Sequence, residues 1–187
     1  PPIIVFDFAE NRSGANARRF LADYGGALVV DDYAGYKHLF QSTPMREIGC
    51  WAHARRKFFE LHEANKSTLA AEALTRIGAI YAVERDAKDM TNDERDAHRD
   101  QHARPKVEAV FAWLESLRPA INSGSATAKA VDYLLRRKAA FTAYLDDGRF
   151  PIDNNPVENA IRPVALGRKN WLFAGSLLAG QRAANIM

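Results

Sequence analysis

The most constraining feature of this sequence is a long central stretch, residues 67–145, in which apolar side chains recur every three or four positions. This spacing is the period of one helix face, so it predicts a series of amphipathic helices. Pro105, Pro119 and residues 123–125 mark the expected breaks between them. Residues 86–100 alternate both charge signs densely, and we expect a solvated helix face there. The stretch therefore predicts an all-helical segment of roughly eighty residues.

The residues before this stretch have a different pattern. Residues 3–8 and 27–31 are short β-branched and aromatic runs, and residues 16–24 between them have helical spacing. Gly25 and Gly26 end that helix, and the connection is long enough for a crossover, so we expect two parallel strands in one sheet. Three further elements are expected: a short helix over 33–41, a strand over 47–50 and a helix over 51–64.

Composition limits the class of protein. With 187 residues, 47% hydrophobic and 26% charged, the chain is globular in type and contains no apolar run of membrane-spanning length. The N-terminus has neither an initiator Met nor a signal peptide, so we expect a piece cut from a longer protein. A single cysteine, Cys50, cannot form an internal disulfide, which fits a reducing, cytoplasmic location. The net charge of +3 is weak support for a polyanionic partner, but no acidic residue follows Glu158.

Two acidic residues are candidate metal ligands. Asp31 ends an apolar strand, where α/β sheets place ligand groups, although Asp31 or Asp32 could instead cap the next helix. Alternation along a strand sends these two side chains to opposite faces, so at most one shares a site. Glu158 lies in the first turn of a helix that we expect Asn155 to cap. A capping box with Asn155 or an ion pair with Arg162 is the alternative, structural role for Glu158, and local spacing alone favours it.

Other residues have the types found in metal or nucleic-acid sites. Cys50 and His53 have the two-residue spacing of metal ligands, but zinc needs four ligands and no second pair is nearby, so we expect a packed junction. Arg55 and Arg56 begin either a solvated face or a phosphate-contacting stripe. Near the C-terminus cationic residues alternate with aromatic residues. This mixture is suited to binding a phosphate backbone and stacking on an exposed base. Alternatively, the cations form a basic helix end and the aromatic side chains lie in the core. These residues are Arg162, Arg168, Lys169, Trp171 and Phe173.

Three segments carry a resemblance to a known family. They are VVDDYAGY at 29–36, GCWAHARRKF at 49–58 and DGRFPIDNNPVENAIRP at 147–163, and the similarity continues through GRKNWLFAGS at 167–176. Together they resemble the insertion sequence 66 family of transposases, over nearly the whole chain. The resemblance implies an α/β, mostly helical fold with a partial ribonuclease H-like sheet and a large all-helical insertion. The implied domains are 1–65 for the partial core, 66–147 for the insertion and 148–187 for the returning helical part.

The resemblance also implies a mechanism based on three carboxylates and Mg²⁺, with Mn²⁺ as a possible substitute. Asp31 would be the second carboxylate and Glu158 the third, separated by 158 − 31 = 127 residues. The first Asp of the family lies upstream of this chain, and Asp7 falls on the wrong strand to replace it. We therefore expect this piece to bind metal weakly and to catalyse little. Cys50 and His53 match a structural signature of related transposases.

The implied partners are DNA, both transposon ends and target, and further copies of the protein in a transposition complex. Arg55, Arg56, Arg162, Arg168 and Lys169 are the expected DNA-contacting residues. Two other interpretations stay open. One is a non-catalytic nucleic-acid-binding module whose carboxylates only cap helices, and the other is a degraded transposon remnant.

Overall fold

The computed structural model describes residues 3–11, 13–167 and 176–186, which form mostly helices and one small parallel sheet. The predicted class, a mostly helical α/β protein, is confirmed. The chain divides into two units. Unit 1 comprises Pro1–Gly26, Asp32–Met45 and Asn154–Met187, and unit 2 comprises Ala27–Asp31 and Arg46–Asp153. The expected three-part domain division stays a prediction.

The sheet of unit 2 has two strands within the described residues. Strand β1 (Ala27–Val30) pairs in parallel with β2 (Arg46–Gly49), with Val30 opposite Gly49. Both strands were predicted, but the predicted strand over residues 3–8 is wrong, because those residues have no regular secondary structure. A strand needs a neighbour to pair its backbone N–H and C=O groups, and β1 takes β2 as that neighbour. Local β propensity at residues 3–8 therefore does not decide their structure.

The helices of unit 2 follow the predicted helical stretch. They are α3 (Trp51–Asn65), α4 (Thr68–Asp86), α5 (Asn92–His98), α6 (Arg104–Leu117), α7 (Ala126–Leu135) and α8 (Lys138–Thr142). A π-helical turn, Arg99–Ala103, joins α5 to α6, and 3₁₀ turns cover Arg118–Ala120 and Ala143–Asp146. Pro105 is the second residue of α6, directly after the π-helical turn, so the helical backbone continues past the proline without the expected break. Ser67, Thr91 and Ser125 cap α4, α5 and α7 through their side-chain oxygens.

The core of unit 2 is built around aromatic side chains. Trp51, Phe111 and Phe141 are fully buried, and the Trp51 ring lies edge-on to both phenylalanine rings, at centroid distances of 6.3 and 5.2 Å. The Trp51 indole N–H donates a hydrogen bond to the Phe141 carbonyl at 3.0 Å, so its polar edge is also satisfied. Burial of each such side chain contributes roughly 1.5–3 kcal/mol. This cluster fixes the start of α3, directly after Cys50, against α6 and α8.

One charged residue lies inside this core. Arg99, on the π-helical turn, is 2% exposed and forms a two-bond ion pair with the Glu84 carboxylate at 2.9 and 2.6 Å. Its remaining nitrogen donates to the carbonyls of Tyr144 and Asp147 at 2.9 and 3.1 Å. Most of residues 86–100 are exposed, as predicted, but Arg99 departs from that prediction. It links α4 to the turn at Asp147, because the guanidinium has enough donors to satisfy all four oxygens.

Unit 1 contains the remaining helices: α1 (Gly14–Phe20), α2 (Lys37–Ser42), α9 (Asn155–Gly167) and α10 (Leu177–Ile186), with a 3₁₀ turn at Ala34–Tyr36. Helix α1 packs beside that turn, and a Cβ on Gly14 would lie 2.9 Å from the Gly35 carbonyl oxygen, so a glycine is needed there. None of the described helices is long and apolar enough to cross a membrane.

Candidate functional site

Asp31 lies where β1 ends, at the carboxyl edge of the parallel sheet. Its side chain is 44% exposed, so solvent and ions can reach the carboxylate. The next residue, Asp32, has a left-handed backbone with φ of 75°, which aspartate tolerates better than most residues. The Asp32 carboxylate lies 3.8 Å from the Lys37 ammonium group. The two neighbouring aspartates therefore contact different partners.

Cys50 and His53 form a line of contacts that leads to Asp31. Cys50 is fully buried just before α3, and its backbone N–H donates to the Val30 carbonyl at 3.2 Å. The His53 Nδ1 atom lies 3.3 Å from the Cys50 sulfur, and its Nε2 atom lies 3.9 Å from an Asp31 carboxylate oxygen. One ring nitrogen of His53 thus faces the thiol while the other faces the acid. This arrangement fixes the plane of the imidazole beside Asp31.

Helix α7 supports the backbone of Asp31 from a second direction. The Tyr133 hydroxyl donates to the Asp31 carbonyl at 3.3 Å and accepts a hydrogen bond of 2.8 Å from Arg137. Arg137, two residues after α7 ends, also donates to the Val30 carbonyl and the Glu47 carboxylate, so it connects both strands to the segment between α7 and α8. Sequence reasoning placed Tyr133 and Arg137 only within a helix. Their contacts span about one hundred residues along the chain, and helical periodicity contains no information about them.

A buried carboxylate outside the predicted site lies two residues before α9 in the sequence. Asp153 is 8% exposed and accepts a hydrogen bond of 2.8 Å from the Tyr81 hydroxyl of α4. Burial, followed by the negative charge of Asp153, raises the pKa of Tyr81 far above its usual range, so the hydroxyl keeps its proton and remains a donor. The preceding Ile152 carbonyl accepts from the Trp51 N–H at 3.1 Å. These bonds anchor the segment just before α9, and the only sequence signal for Asp153 was its place in the 147–163 segment.

Glu158 lies in the first turn of α9 and is partly exposed. The N–H groups of Val157 and Glu158 both donate to the Asn154 carbonyl at 3.0 Å. The helix begins at Asn155, one residue earlier than predicted, so Asn154 takes the position expected for Asn155. A carboxylate in a first turn is stabilised by the positive end of the helix dipole. Glu158 belongs to unit 1 and Asp31 to unit 2, and their pairing in one site stays a prediction.

The expected DNA-contacting residues are only partly described. Arg55 and Arg56 are exposed on α3, and Arg162 is exposed on α9. Arg168, Lys169, Trp171 and Phe173 lie outside the described residues. The Asp7 carboxylate forms an ion pair with the Arg19 guanidinium of α1, at a distance of 2.9 Å.

Within residues 3–11, 13–167 and 176–186, no three His, Cys, Asp or Glu side chains are grouped in a way that could hold a metal ion. The candidate residues differ in the chemical type of their donor atoms. Asp31 and Glu158 offer hard carboxylate oxygens, which Mg²⁺ prefers, whereas the buried Cys50 thiol and its His53 neighbour do not. Asp31 and Glu158 are thus carboxylates of the chemical type that Mg²⁺ prefers.

Fold and site together define a class: a mostly helical α/β protein with an accessible acid at the carboxyl end of a small parallel sheet, packed against a helical bundle. The sequence profile described as transposase IS66 family matches residues 1–182. The chain therefore belongs to the IS66 family of transposases.

Three relatives come from Sinorhizobium fredii (strain NBRC 101917 / NGR234). They are the uncharacterized proteins y4hP, y4jD and y4qI, which are 35%, 36% and 33% identical over 98%, 98% and 100% of this chain. The chain spans 36%, 37% and 36% of their respective lengths, so each relative is much longer. No solved structure matches the chain.

Proposed function

We propose that this chain is part of the catalytic domain of a DNA transposase, and that the longer protein cleaves phosphodiester bonds and transfers strands during transposition. Family membership over residues 1–182 carries this proposal. The position of Asp31 at the carboxyl edge of a parallel sheet supports it, because that edge is where α/β proteins bind ligands. In this proposal Asp31 and Glu158 are two of the three catalytic carboxylates of a ribonuclease H-like site.

The metal in this proposal is Mg²⁺, with Mn²⁺ as a substitute. Divalent ions in such a site activate the attacking oxygen and stabilise the leaving oxygen. Asp31 would bind from the sheet edge and Glu158 from the first turn of α9. Asp31 and Glu158 are two carboxylates where such a site uses three, and the described residues contain no group of three possible ligands. We therefore expect weak metal binding and little cleavage by this chain alone.

The surrounding residues have supporting roles in the proposal. The His53 ring, held by Cys50 on one side, restricts the orientations open to the Asp31 carboxylate. Tyr133 holds the Asp31 carbonyl, and Arg137 holds the Val30 carbonyl and the Tyr133 hydroxyl. Arg55, Arg56 and Arg162 are exposed and would bind DNA phosphates, together with Arg168 and Lys169. The acting form would be a homo-oligomer on the transposon ends.

The test is a pair of isosteric substitutions, Asp31→Asn and Glu158→Gln, in the full-length protein. Each should abolish Mg²⁺-dependent nicking of DNA and weaken Mn²⁺ binding measured by calorimetry, while DNA binding is retained. Asp32→Asn and Glu108→Gln are matched controls, because they remove one charge next to Asp31 and one from the exposed face of α6.

Two results would contradict the proposal. Normal nicking by both Asp31→Asn and Glu158→Gln would favour the non-catalytic nucleic-acid-binding module. Robust nicking by the present chain alone would contradict the need for a further carboxylate.

A further inference from the structure

An open groove runs between α3 and α7 in unit 2, with a volume of about 300 Å³. Its floor consists of small and apolar side chains: Leu61, Ala64, Ala126 and Ala130. Lys57 and Glu60 of α3 and Lys129 of α7 form its rim. All three rim residues are exposed, so their charged groups are accessible to a ligand that enters the groove.

The rim has an excess of positive charge. The rim carries two ammonium groups and one carboxylate. The Lys57 ammonium lies 4.5 Å from the centre of the Tyr133 ring, so the aromatic face holds this cation at the groove. Many other lysines and arginines of unit 2 are paired with carboxylates, as Arg118 is with Asp132 and Lys138 is with Glu115. The groove therefore combines accessible cations with a floor that has no bulky polar group.

Tyr133 also connects the groove to the proposed site. One face of its ring contacts Lys57, and its hydroxyl donates to the Asp31 carbonyl. A ligand held by Lys57 therefore lies within one side chain of the edge of the sheet. The small residues of the floor allow close approach of a sugar-phosphate chain, and the lysines supply point charges for its phosphates.

We propose that the groove between α3 and α7 binds the phosphodiester backbone of the DNA strand that leads to Asp31. This inference rests on the proposed function, because it assigns a partner surface to the same enzyme. It adds Lys57 and Lys129 to the expected DNA contacts and gives α7 of the helical segment a part in holding the substrate.

The experiment is fluorescence anisotropy of a labelled DNA duplex of mixed sequence, titrated with this chain in EDTA at several NaCl concentrations. The association constant K for DNA falls as the NaCl concentration rises, and each phosphate contact adds about 0.9 to the steepness of log K against log[NaCl]. The double variant Lys57→Gln/Lys129→Gln should therefore make this dependence shallower by about 2. At 0.1 M salt this corresponds to roughly 8-fold weaker binding per contact, or about 60-fold for both. Glu60→Gln should strengthen binding, because it removes the one repulsive charge at the rim.

Charge-matched controls separate groove contacts from general attraction. Lys88→Gln/Lys106→Gln removes the same charge from exposed positions outside the groove and should lower the slope by less than 1. Equal losses for the two double variants would overturn the inference. So would failure of the unmodified chain to bind the duplex. DNA cleavage by the full-length protein tests the proposed function separately. A negative result for DNA binding in the groove therefore does not decide the test of cleavage, and the reverse also holds.

Discussion

Replacement of Arg99 by Met should destabilise unit 2 strongly. Its guanidinium is 2% exposed and satisfies two carboxylate oxygens of Glu84 and two backbone carbonyls, at distances between 2.6 and 3.1 Å. Removing one partner of a buried ion pair costs about 3–5 kcal/mol, because the other charge stays buried without compensation. The Glu84 side chain retains 13% exposure, so some water can reach it and we expect a loss near the lower end, about 3 kcal/mol. That is a large part of the total stability of a domain, about 5–15 kcal/mol.

A second variant separates the ion pair from packing. In Arg99→Met/Glu84→Leu no buried charge remains, so the main cost that is left is the two unpaired carbonyls of Tyr144 and Asp147. Each lost hydrogen bond is worth about 0.5–1.5 kcal/mol, and we expect the double variant to be more stable than Arg99→Met alone. Urea unfolding, followed by both far-ultraviolet circular dichroism and tryptophan fluorescence, gives the free energies if the two transitions coincide.

The control for this prediction is Arg149→Met. Arg149 also pairs with a carboxylate, that of Asp147, but its side chain is 72% exposed, so its removal should cost no more than a typical exposed ion pair, well below the loss for Arg99→Met. The reasoning is refuted if Arg99→Met costs less than about 1 kcal/mol, the size of an exposed ion pair. It is also refuted if the double variant is less stable than Arg99→Met, because the buried charge would then not be the source of the loss.

Three further perturbations have definite expected results. Hydrogen bonds from the side chain and then the backbone of Arg149 lower the pKa of Asp147 to about 2. The ionised Asp147 carboxylate therefore contributes its full stability above about pH 4, and this contribution is lost as the pH falls towards 2. Unfolding midpoints measured from about pH 7 to 2 should show the loss of stability, and Asp147→Asn should make that loss smaller. Gly148→Ala should lower the free energy of unfolding by roughly 1–3 kcal/mol, because the new Cβ would lie 1.9 Å from the Asn92 carbonyl oxygen; an unchanged melting temperature would contradict this contact. Tyr81→Phe should cost about 1–3 kcal/mol in urea unfolding, because Asp153 would lose a donor while it remains buried, and a loss of only a few tenths would mean that water replaces the hydroxyl.

Several elements could be predicted from local sequence because the signal is local. The helix over Trp51–Asn65 and the strands at 27 and 46 agree with the spacing of their apolar residues, and the break at residues 123–125 follows from a serine and glycine cluster. The placement of Asp31 at a strand end is of the same kind. Each of these elements is determined by residues within a few positions of it in the sequence, so it can be predicted without knowledge of the packing.

The surroundings of Asp31 could not be predicted in this way. Tyr133 of α7 donates to the Asp31 carbonyl, and Arg137, just after α7, donates to the Val30 carbonyl. Tyr81 of α4 donates to Asp153. These pairs are separated by 72 to 107 positions. Each depends on how the helices pack around Trp51, and many packings share the same helical periodicity. Sequence patterns therefore predicted the helices but not which of their polar residues would meet the sheet.

By itself, the sequence determined the helical character of residues 67–145 and an acid at the end of an apolar strand, because repeating apolar spacing and turn residues act over one or two helical turns. Tertiary structure alone decided that residues 3–8 form no strand, that Arg99 lies inside the core, and that His53 faces Asp31. A strand needs a partner, a buried charge needs a counter-charge, and a side chain needs a neighbour to face. In each case the second group is distant along the chain, and only folding brings it near.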